Sequence, residues 1–295
     1  MTSQAAAAAH AEGTLGILAG GGELPLRIAR TALAGGRPVF AVALEGWADP
    51  RDWQGLPHMA ARVGAVGRIL GAMRERGARQ LVMVGTVRRP SMLTLGLDGT
   101  GLRLLARIGR AAFQGDDGLL RGLARALEEE GFEIVGPDAV LDGLLPGPGL
   151  LTRGVPAPDA EARADIARGI AVVRALGAVD VGQGAVVQQG LVLGVEAIEG
   201  TDSLLARCAG LRREGPGGVL VKLAKPGQDR RLDLPSVGTG TVAGAAAAGL
   251  RGIAVEAGAT ILVDRAATVA AAEAAGIFLL ALRPDAFNPD EETPP

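Results

Sequence analysis

Residues 217–242, which read GGVLVKLAKPGQDRRLDLPSVGTGTV, decide the fold of this chain. The apolar residues at 219–221 and 223 lie between Gly and Pro residues, which is typical of a buried β-strand. A charged loop follows, then small residues at 236–240, and then an Ala-rich helix that the pattern predicts from Thr241. A strand, a polar loop and a helix in this order are typical of open α/β sheets, which bind ligands at the carboxyl ends of their strands.

The loop in the middle of this stretch has an unusual density of charge. Its two acids and four bases are Lys222, Lys225, Asp229, Arg230, Arg231 and Asp233. Most charge clusters are solvated surface turns. This cluster, however, lies between two apolar segments, and loops at strand ends often carry function. We therefore predict that the loop as a whole is functional, although its pattern alone assigns no role to a single residue.

The composition limits the chemistry that is open to the chain. With 295 residues, of which 48% are hydrophobic, the chain is long enough for two domains. Its net charge of −2 argues against bulk binding to nucleic acid, and its single cysteine excludes an internal disulfide. The two histidines are His10, in the N-terminal tail, and His58, which we predict in a Pro-flanked loop. So few histidines argue against a Ser-His-Asp hydrolase and against a histidine-rich zinc enzyme.

Carboxylates, lysines and arginines remain as the reactive groups. This set suits Mg²⁺, which proteins bind through one or two carboxylates together with substrate phosphates. It also suits phosphoryl transfer, in which positioning and charge stabilisation supply most of the catalysis. We therefore predict Mg²⁺ as the cofactor and a phosphate-containing substrate.

The N-terminal half alternates strands and helices. A strand is predicted at 15–19, then the turn Gly20-Gly21-Gly22, a helix at 24–34 and a strand at 40–44. This opening is similar to a nucleotide-binding turn, although its spacing is not G-x-G-x-x-G, and a tight turn also needs glycine for steric reasons. A further strand is predicted at 80–85, and Arg88 behind it could bind a phosphate or lie in a solvated turn.

Two acidic motifs have competing interpretations. Asp116 and Asp117 follow Gly115 and are predicted to begin a helix, where they would cap it or, alternatively, bind a metal or a sugar hydroxyl. Thr201 is predicted to be the N-cap of a later helix, with Asp202 in its first turn. In both places helix capping competes with a role in catalysis.

The domain organisation follows from this alternation. We predict an α/β protein with two tandem α/β domains, of which the N-terminal one, 14–145, is Rossmann-like. A Pro- and Gly-rich linker at 146–159 leads to a distinct C-terminal catalytic domain at 160–284. Residues 1–13 are predicted to be a disordered tail and 285–295 a second tail. No secretory signal or membrane-spanning run is visible, so a cytoplasmic location is expected.

Several ordered motifs together resemble one protein family, the LpxI family of UDP-2,3-diacylglucosamine pyrophosphatases of lipid A biosynthesis. The motifs are AGGGELPLRIA, VALEGWADP, VGTVRRPS, RAAFQGDDGLLR, DVGQGAVVQQGLVLGVEAIEGTD, KLAKPGQDRRLDLPSVG and GIAVEAG. The resemblance spans roughly residues 14–283. It implies Mg²⁺-dependent hydrolysis of UDP-2,3-diacylglucosamine to 2,3-diacylglucosamine 1-phosphate and UMP. It also implies transient contact with the inner membrane surface, and it leaves a homodimer open.

The resemblance also implies roles for particular residues. The essential aspartate of the D-L-P-[TS]-[IV]-G motif corresponds to Asp233, which is expected to be catalytic together with Lys225 and to bind metal together with Asp202. The residues expected to bind substrate are Gly20, Gly21, Gly22, Glu23, Leu24, Arg88, Asp116, Asp117, Gln183, Glu199, Thr201 and Arg231. The N-terminal tail is an extension relative to the family and affects none of these positions.

Two other functions stay open on the residues alone. The chain could be a non-catalytic nucleotide-sugar or dinucleotide binding protein, but such a protein has no need of an acid beside lysines and arginines at a strand end. It could also be an NAD(P)-dependent reductase, but that class requires a better glycine fingerprint and a clear ribose-binding acid. Turnover of a UDP-sugar lipid, with and without a chelator, separates these alternatives.

Overall fold

The chain forms two compact units in a computed structural model that describes residues 13–87, 95–109 and 116–291. The N-terminal unit extends to Asp142 and also includes the short segment Asp229–Asp233. The C-terminal unit comprises Gly143–Gln228 and the residues from Leu234 onward. Each unit contains its own β-sheet covered by helices, so the predicted class of two tandem α/β domains is confirmed.

The N-terminal unit is built on a parallel five-stranded sheet with the order β3-β2-β1-β4-β5. Its strands are β1 (Thr14–Ala19), β2 (Val39–Leu44), β3 (His58–Ala61), β4 (Ala78–Val84) and β5 (Glu133–Ile134). Its helices are α1 (Leu24–Ala34), α2 (Val66–Glu75), α3 (Gly99–Ile108) and α4 (Asp116–Glu129). The strand order reverses between β1 and β4, and in such sheets ligands bind beside that reversal.

Strand β3 corrects the prediction made for His58. The sequence places this residue in a loop because prolines lie nearby, but His58 is the first residue of β3 and pairs in register with Ala41 of β2. Its ring Nδ1 lies 2.9 Å from the carbonyl oxygen of Leu56. Proline can stand at the start of an edge strand without losing a sheet hydrogen bond, so the local turn signal was misleading.

The C-terminal unit has a mixed six-stranded sheet with the order β6-β13-β11-β9-β7-β8 and a separate parallel pair, β10 and β12. The strands are β6 (Gly149–Leu150), β7 (Gly184–Gln188), β8 (Leu191–Val195), β9 (Val219–Lys222), β10 (Ser236–Val237), β11 (Gly252–Glu256), β12 (Ile261–Leu262) and β13 (Phe278–Leu282). The helices are α5 (Ala160–Ala178), α6 (Gly200–Ala209), α7 (Thr239–Ala247) and α8 (Arg265–Ala274).

The two faces of this sheet pack against different helices, because successive strand residues point to opposite sides. On β9, Val221 packs with Ile166 and Ile170 of α5, whereas Leu220 packs with Leu204 of α6 and Val242 of α7. All six residues are buried. Strand β9 therefore lies in the middle of the unit, and its carboxyl end is where the charged loop begins.

Two segments outside the predicted domains have defined contacts in the C-terminal unit. The predicted linker at 146–159 contains β6, which pairs antiparallel with β13. Part of the predicted C-terminal tail also packs on this unit, since Arg163 Nε donates to the carbonyl oxygen of Pro289 at 2.9 Å. Residues 1–12 and 292–295 lie outside the described residues.

Candidate active site

The glycine turn follows β1 and packs closely against the segment that follows β4. The N–H of Gly20 donates to the carbonyl of Val84 at 2.8 Å, and Gly21 exchanges two 2.9 Å backbone hydrogen bonds with Thr86. A Cβ atom on Gly20 would lie 2.7 Å from the carbonyl oxygen of Thr86. Close approach of the backbones therefore explains these glycines, and both N–H groups are engaged within the unit.

The residues after this close contact lead into α1. Gly22 has φ of +95°, a conformation that favours glycine. Glu23 occupies the N-cap position of α1 without a capping bond from its side chain. Leu24 is the first helical residue and is buried. The substrate-binding roles of these residues stay predictions.

The other predicted ligands of the N-terminal unit are Arg88, Asp116 and Asp117. Arg88 lies outside the described residues. Helix α4 begins at Asp116, as the sequence predicts. Asp117, the second helical residue, forms an ion pair of 3.0 Å with Arg121 one turn further on. An acidic residue in the first turn also suits the helix dipole.

The segment Asp229–Asp233 is held by Arg231. The Asp229 carboxylate accepts from the Arg231 backbone N–H at 3.0 Å, from its Nε at 3.0 Å and from its Nη2 at 2.7 Å. Arg231 Nη1 donates to Glu128 Oε1 at 2.7 Å. The hydrogen bond from Arg231 holds the pKa of Asp229 below its usual value against the opposing effect of burial. The Asp229 and Glu128 carboxylates in turn raise the pKa of the Arg231 guanidinium.

This bonding shapes the backbone that leads to Asp233. The N–H groups of Leu232 and Asp233 both bond to the carbonyl of Asp229, at 2.9 and 3.3 Å. The side chain of Leu232 packs against the apolar core of the N-terminal unit. Sequence continuity had placed the segment in the C-terminal domain, but its contacts group it with the N-terminal unit. Asp233 therefore stands at the end of a short, internally bonded loop.

Lys225 lies just before this loop, in the C-terminal unit. Its Nζ forms an ion pair of 2.6 Å with Asp180 Oδ1, and its backbone N–H donates to Gln228 Oε1 at 3.0 Å. Asp180 has φ of +55°, a conformation that Asp tolerates better than most residues. Sequence reasoning missed Asp180 as the partner of Lys225, because the two residues are 45 positions apart in the chain.

The predicted residues near α6 are Gln183, Glu199, Thr201 and Asp202. The backbone carbonyl of Gln183 accepts from Leu223 at 3.0 Å. Glu199 pairs with Arg207 at 2.7 Å. The pKa of Glu199 is lowered, first by its own backbone N–H and then by Arg207. Asp202 is exposed in the first turn of α6, as predicted.

The N-cap prediction for Thr201 is wrong. Glu199 occupies the N-cap position, and Thr201 is the second residue of α6. The Thr201 hydroxyl instead donates to Glu196 Oε1 at 2.9 Å and accepts from Lys222 Nζ at 2.6 Å. Because both of these partners lie outside α6, contacts beyond the helix and not helix capping set the position of this hydroxyl.

The described residues contain no ready-made metal site. In the described part of the chain, no three His, Cys, Asp or Glu side chains are grouped to hold a metal ion. The two predicted metal ligands, Asp233 and Asp202, belong to different units. A donor set of this size fits Mg²⁺ only in the mode in which substrate phosphates and water complete the coordination.

Within the described residues, no helix is long and apolar enough to cross a membrane. Large apolar side chains are nevertheless exposed on two loops of the C-terminal unit. Ile198 is 99% exposed, and Val179 and Val181 are exposed as well. The backbones of Gly182 and Glu196 are in close contact, so the loops that carry these side chains are neighbours.

Similarity to known proteins extends over nearly the whole chain. The family model for the LpxI N-terminal domain matches residues 14–144, and the model for the LpxI C-terminal domain matches residues 148–280. UDP-2,3-diacylglucosamine pyrophosphatase LpxI of Caulobacter vibrioides is 43% identical over 276 residues, covering 92% of this chain and 98% of that protein. Two domain matches in tandem and a full-length relative at this identity show that the chain belongs to the LpxI family.

Proposed function

We propose that the protein hydrolyses the diphosphate of UDP-2,3-diacylglucosamine to give 2,3-diacylglucosamine 1-phosphate and UMP. The observation that carries this proposal is the 43% identity, over 92% of the chain, with a UDP-2,3-diacylglucosamine pyrophosphatase. The structure adds support because the D-L-P-S-V-G motif directly follows a loop that its own hydrogen bonds hold in place.

Asp233 is the residue to which we assign the central role. A carboxylate beside a diphosphate can orient the attacking water or hold a cation, and a positioned group of this kind typically contributes about 10²–10⁴-fold in rate. The Asp229–Arg231 contacts limit the freedom of the backbone before Asp233. Such restriction matters because catalysis by positioning requires the reacting groups to be aligned before the reaction begins.

We assign Lys225 to charge stabilisation. Its ammonium is oriented by Asp180, and its side chain is mostly buried. A fixed cation beside the phosphates would stabilise the negative charge that develops on the leaving phosphate in the transition state. Arg231 is proposed to contribute to substrate binding from the same loop, in an orientation set by Asp229 and Glu128.

Mg²⁺ is proposed as the cofactor. Asp233 and Asp202 are the residues that would hold it, together with phosphate oxygens of the substrate. When bound, the cation would supply charge neutralisation and polarisation of a phosphoryl oxygen. The role of the protein would be to position these carboxylates and to hold the diphosphate beside them.

We also propose transient contact with the inner membrane surface. The substrate carries two acyl chains, and the exposed side chains of Val179, Val181 and Ile198 provide apolar area on adjacent loops. Burial of apolar area contributes about 25 cal/mol per Å². These three exposed apolar side chains therefore favour weak, reversible attachment to a membrane from which the lipid substrate is drawn.

The proposed activity is tested by product release from UDP-2,3-diacylglucosamine with the purified full chain. Asp233→Ala is expected to fold, to bind substrate and to lose turnover by about a hundredfold or more. Asp159→Ala is a matched control, because the Asp159 side chain caps α5 by accepting from the Ala162 N–H at 2.8 Å. Loss of that cap is expected to cost about 1 kcal/mol of stability and to leave turnover intact.

Three outcomes would decide the question. Binding of the substrate without any turnover by the wild-type chain would support a nucleotide-sugar binding protein instead. A stable Asp233→Ala variant with a near-normal rate would remove Asp233 from the mechanism and direct attention to Asp202. Activity that falls equally in both variants would indicate a loss of folded protein and not a loss of catalysis.

A further inference from the structure

Lys222 is a buried cation at the carboxyl end of β9, the central strand that leads into the charged loop. It is 5% exposed and pairs in register with Val255 on one side and Gly184 on the other. Burial of an ammonium group is costly unless the group is hydrogen-bonded and its charge is compensated. The sequence analysis counted Lys222 among the charges of the functional loop, and its local signal was a lysine inside the apolar run VLVKLA.

The ammonium of Lys222 donates a hydrogen bond to the backbone shortly after Asp233. Its Nζ donates to the carbonyl oxygen of Ser236 at 3.2 Å. The carbonyls on either side of Ser236 are held by β12 and the residue after it, because Ile261 N–H donates to Pro235 at 2.8 Å and Val263 N–H donates to Val237 at 3.0 Å. Three successive carbonyls of the D-L-P-S-V-G motif therefore accept hydrogen bonds, two from the segment 261–263 and the middle one from Lys222.

A buried acid completes this arrangement. Lys222 Nζ donates to Thr201 Oγ at 2.6 Å, and the Thr201 hydroxyl donates to Glu196 Oε1 at 2.9 Å. Glu196 is 6% exposed. A Cβ atom on Gly184 would lie 2.5 Å from Glu196 Oε2, so a glycine there leaves room for the carboxylate. The Thr201 hydroxyl thus links the lysine ammonium to a buried carboxylate, and all of these groups belong to the C-terminal unit.

We propose that Lys222 is a positioning residue for the hydrolysis reaction. By holding the Ser236 carbonyl it orients the backbone that carries Asp233, and Thr201 and Glu196 keep the Lys222 ammonium in place. The effect of Lys222 on catalysis rests on the proposed function. Its structural part, the fixing of β10 by Lys222, does not depend on the identity of the substrate. Thr201 then serves as a link between two buried charges.

The test compares substitutions at Thr201 with a matched control. Thr201→Val removes the hydroxyl but keeps the shape, whereas Thr201→Ser keeps the hydroxyl. Thr268→Val makes the same change in α8, at a buried threonine whose hydroxyl has no hydrogen-bond partner among the described residues. Lys222→Met is a direct but harsher change, and the Thr201 pair keeps the test informative if that variant does not fold.

Steady-state kinetics on UDP-2,3-diacylglucosamine provide the first readout. We expect Thr201→Val to lower kcat by about tenfold or more with little change in KM, because misplacement of a reacting group affects the transition state more than ground-state binding. Thr201→Ser should recover most of that loss, and Thr268→Val should match the wild type. A rise in KM at constant kcat would instead assign Thr201 to substrate binding and would overturn the proposal.

Hydrogen exchange provides a second readout that needs no activity. The amides of Ile261 and Val263 report on the pairing of β10 with β12, so Thr201→Val is expected to speed their exchange by about fivefold, the factor that corresponds to one net hydrogen bond. The amide of Val255 in β11 should be unchanged. Unaltered exchange at Ile261 and Val263 would refute the positioning role even if the wild type proved inactive, and an inactive wild type with the expected exchange would refute the proposed function alone.

Discussion

Replacement of Asp229 removes the carboxylate whose hydrogen bonds hold the loop that leads to Asp233. This carboxylate accepts three hydrogen bonds from Arg231: one from the backbone N–H and two from the guanidinium. Asp229→Ala removes all of them, whereas Asp229→Asn keeps an oxygen that can accept from the backbone N–H. The two substitutions therefore separate the contribution of the hydrogen bond from the backbone N–H from that of the ion pair.

The exposure of the pair sets the size of the effect. The Asp229 and Arg231 side chains are 21% and 44% exposed, so solvent screening limits the ion pair to about 1 kcal/mol. The bond to the backbone N–H adds about 1 kcal/mol. Since 1.4 kcal/mol corresponds to a factor of ten, kcat/KM is expected to fall by up to about thirtyfold for Asp229→Ala and about fivefold for Asp229→Asn.

The pH dependence of stability gives an independent check. The pKa of Asp229 is lowered in the folded protein, chiefly by the hydrogen bond from Arg231. A lowered pKa means that the stabilisation is complete above the unfolded value, which is about 4, and is lost as the pH falls through the folded value. The difference in Tm between the wild type and Asp229→Asn should therefore be largest near neutral pH and should shrink in acid.

Asp49 offers a matched control within the N-terminal unit. Its carboxylate accepts from the Arg51 backbone N–H at 2.9 Å and from the Arg51 guanidinium at 2.6 Å, the same arrangement outside the charged loop. Asp49→Ala should leave kcat/KM unchanged. The reasoning fails if Asp229→Ala keeps kcat/KM within twofold of the wild type, or if the Tm difference does not vary with pH.

Three further predictions concern charge, metal and membrane. Lys225→Met should lower kcat by about tenfold or more, and Asp180→Asn by less, because the second change leaves the cation in place; steady-state kinetics decide, and equal losses would contradict a direct role for the lysine. Exhaustive chelation should abolish product release, and added Mg²⁺ or Mn²⁺ should restore it; full activity in the chelated enzyme would exclude the metal. Ile198→Asp should weaken binding to phospholipid vesicles in a flotation assay, whereas Leu211→Asp, at another exposed apolar position of the same unit, should not; equal binding by both variants would argue against this patch.

Local patterns in the sequence determined much of the architecture. Runs of apolar residues bounded by glycine- or proline-rich turns predicted strands β1, β2, β4 and β9, and helix α1 has the predicted bounds Leu24–Ala34. These predictions succeed because alternating burial and helical periodicity are properties of neighbouring residues. Asp233 was found in another way, through its motif, since its spacing alone leaves it equivalent to Asp229.

Only the tertiary structure decided which side chains meet. Arg231 bonds to Glu128, a residue 103 positions away in the chain, and Lys222 reaches Thr201 across 21 positions. The edge strand β3 also depends on its partner β2 and has a weak local signal. Hydrogen bonds between distant residues depend on how the strands are ordered and on which face each side chain occupies. The sequence therefore indicated a charged functional loop, while the fold determined that Asp229 shapes it from within and that Lys222 fixes the chain that leaves it.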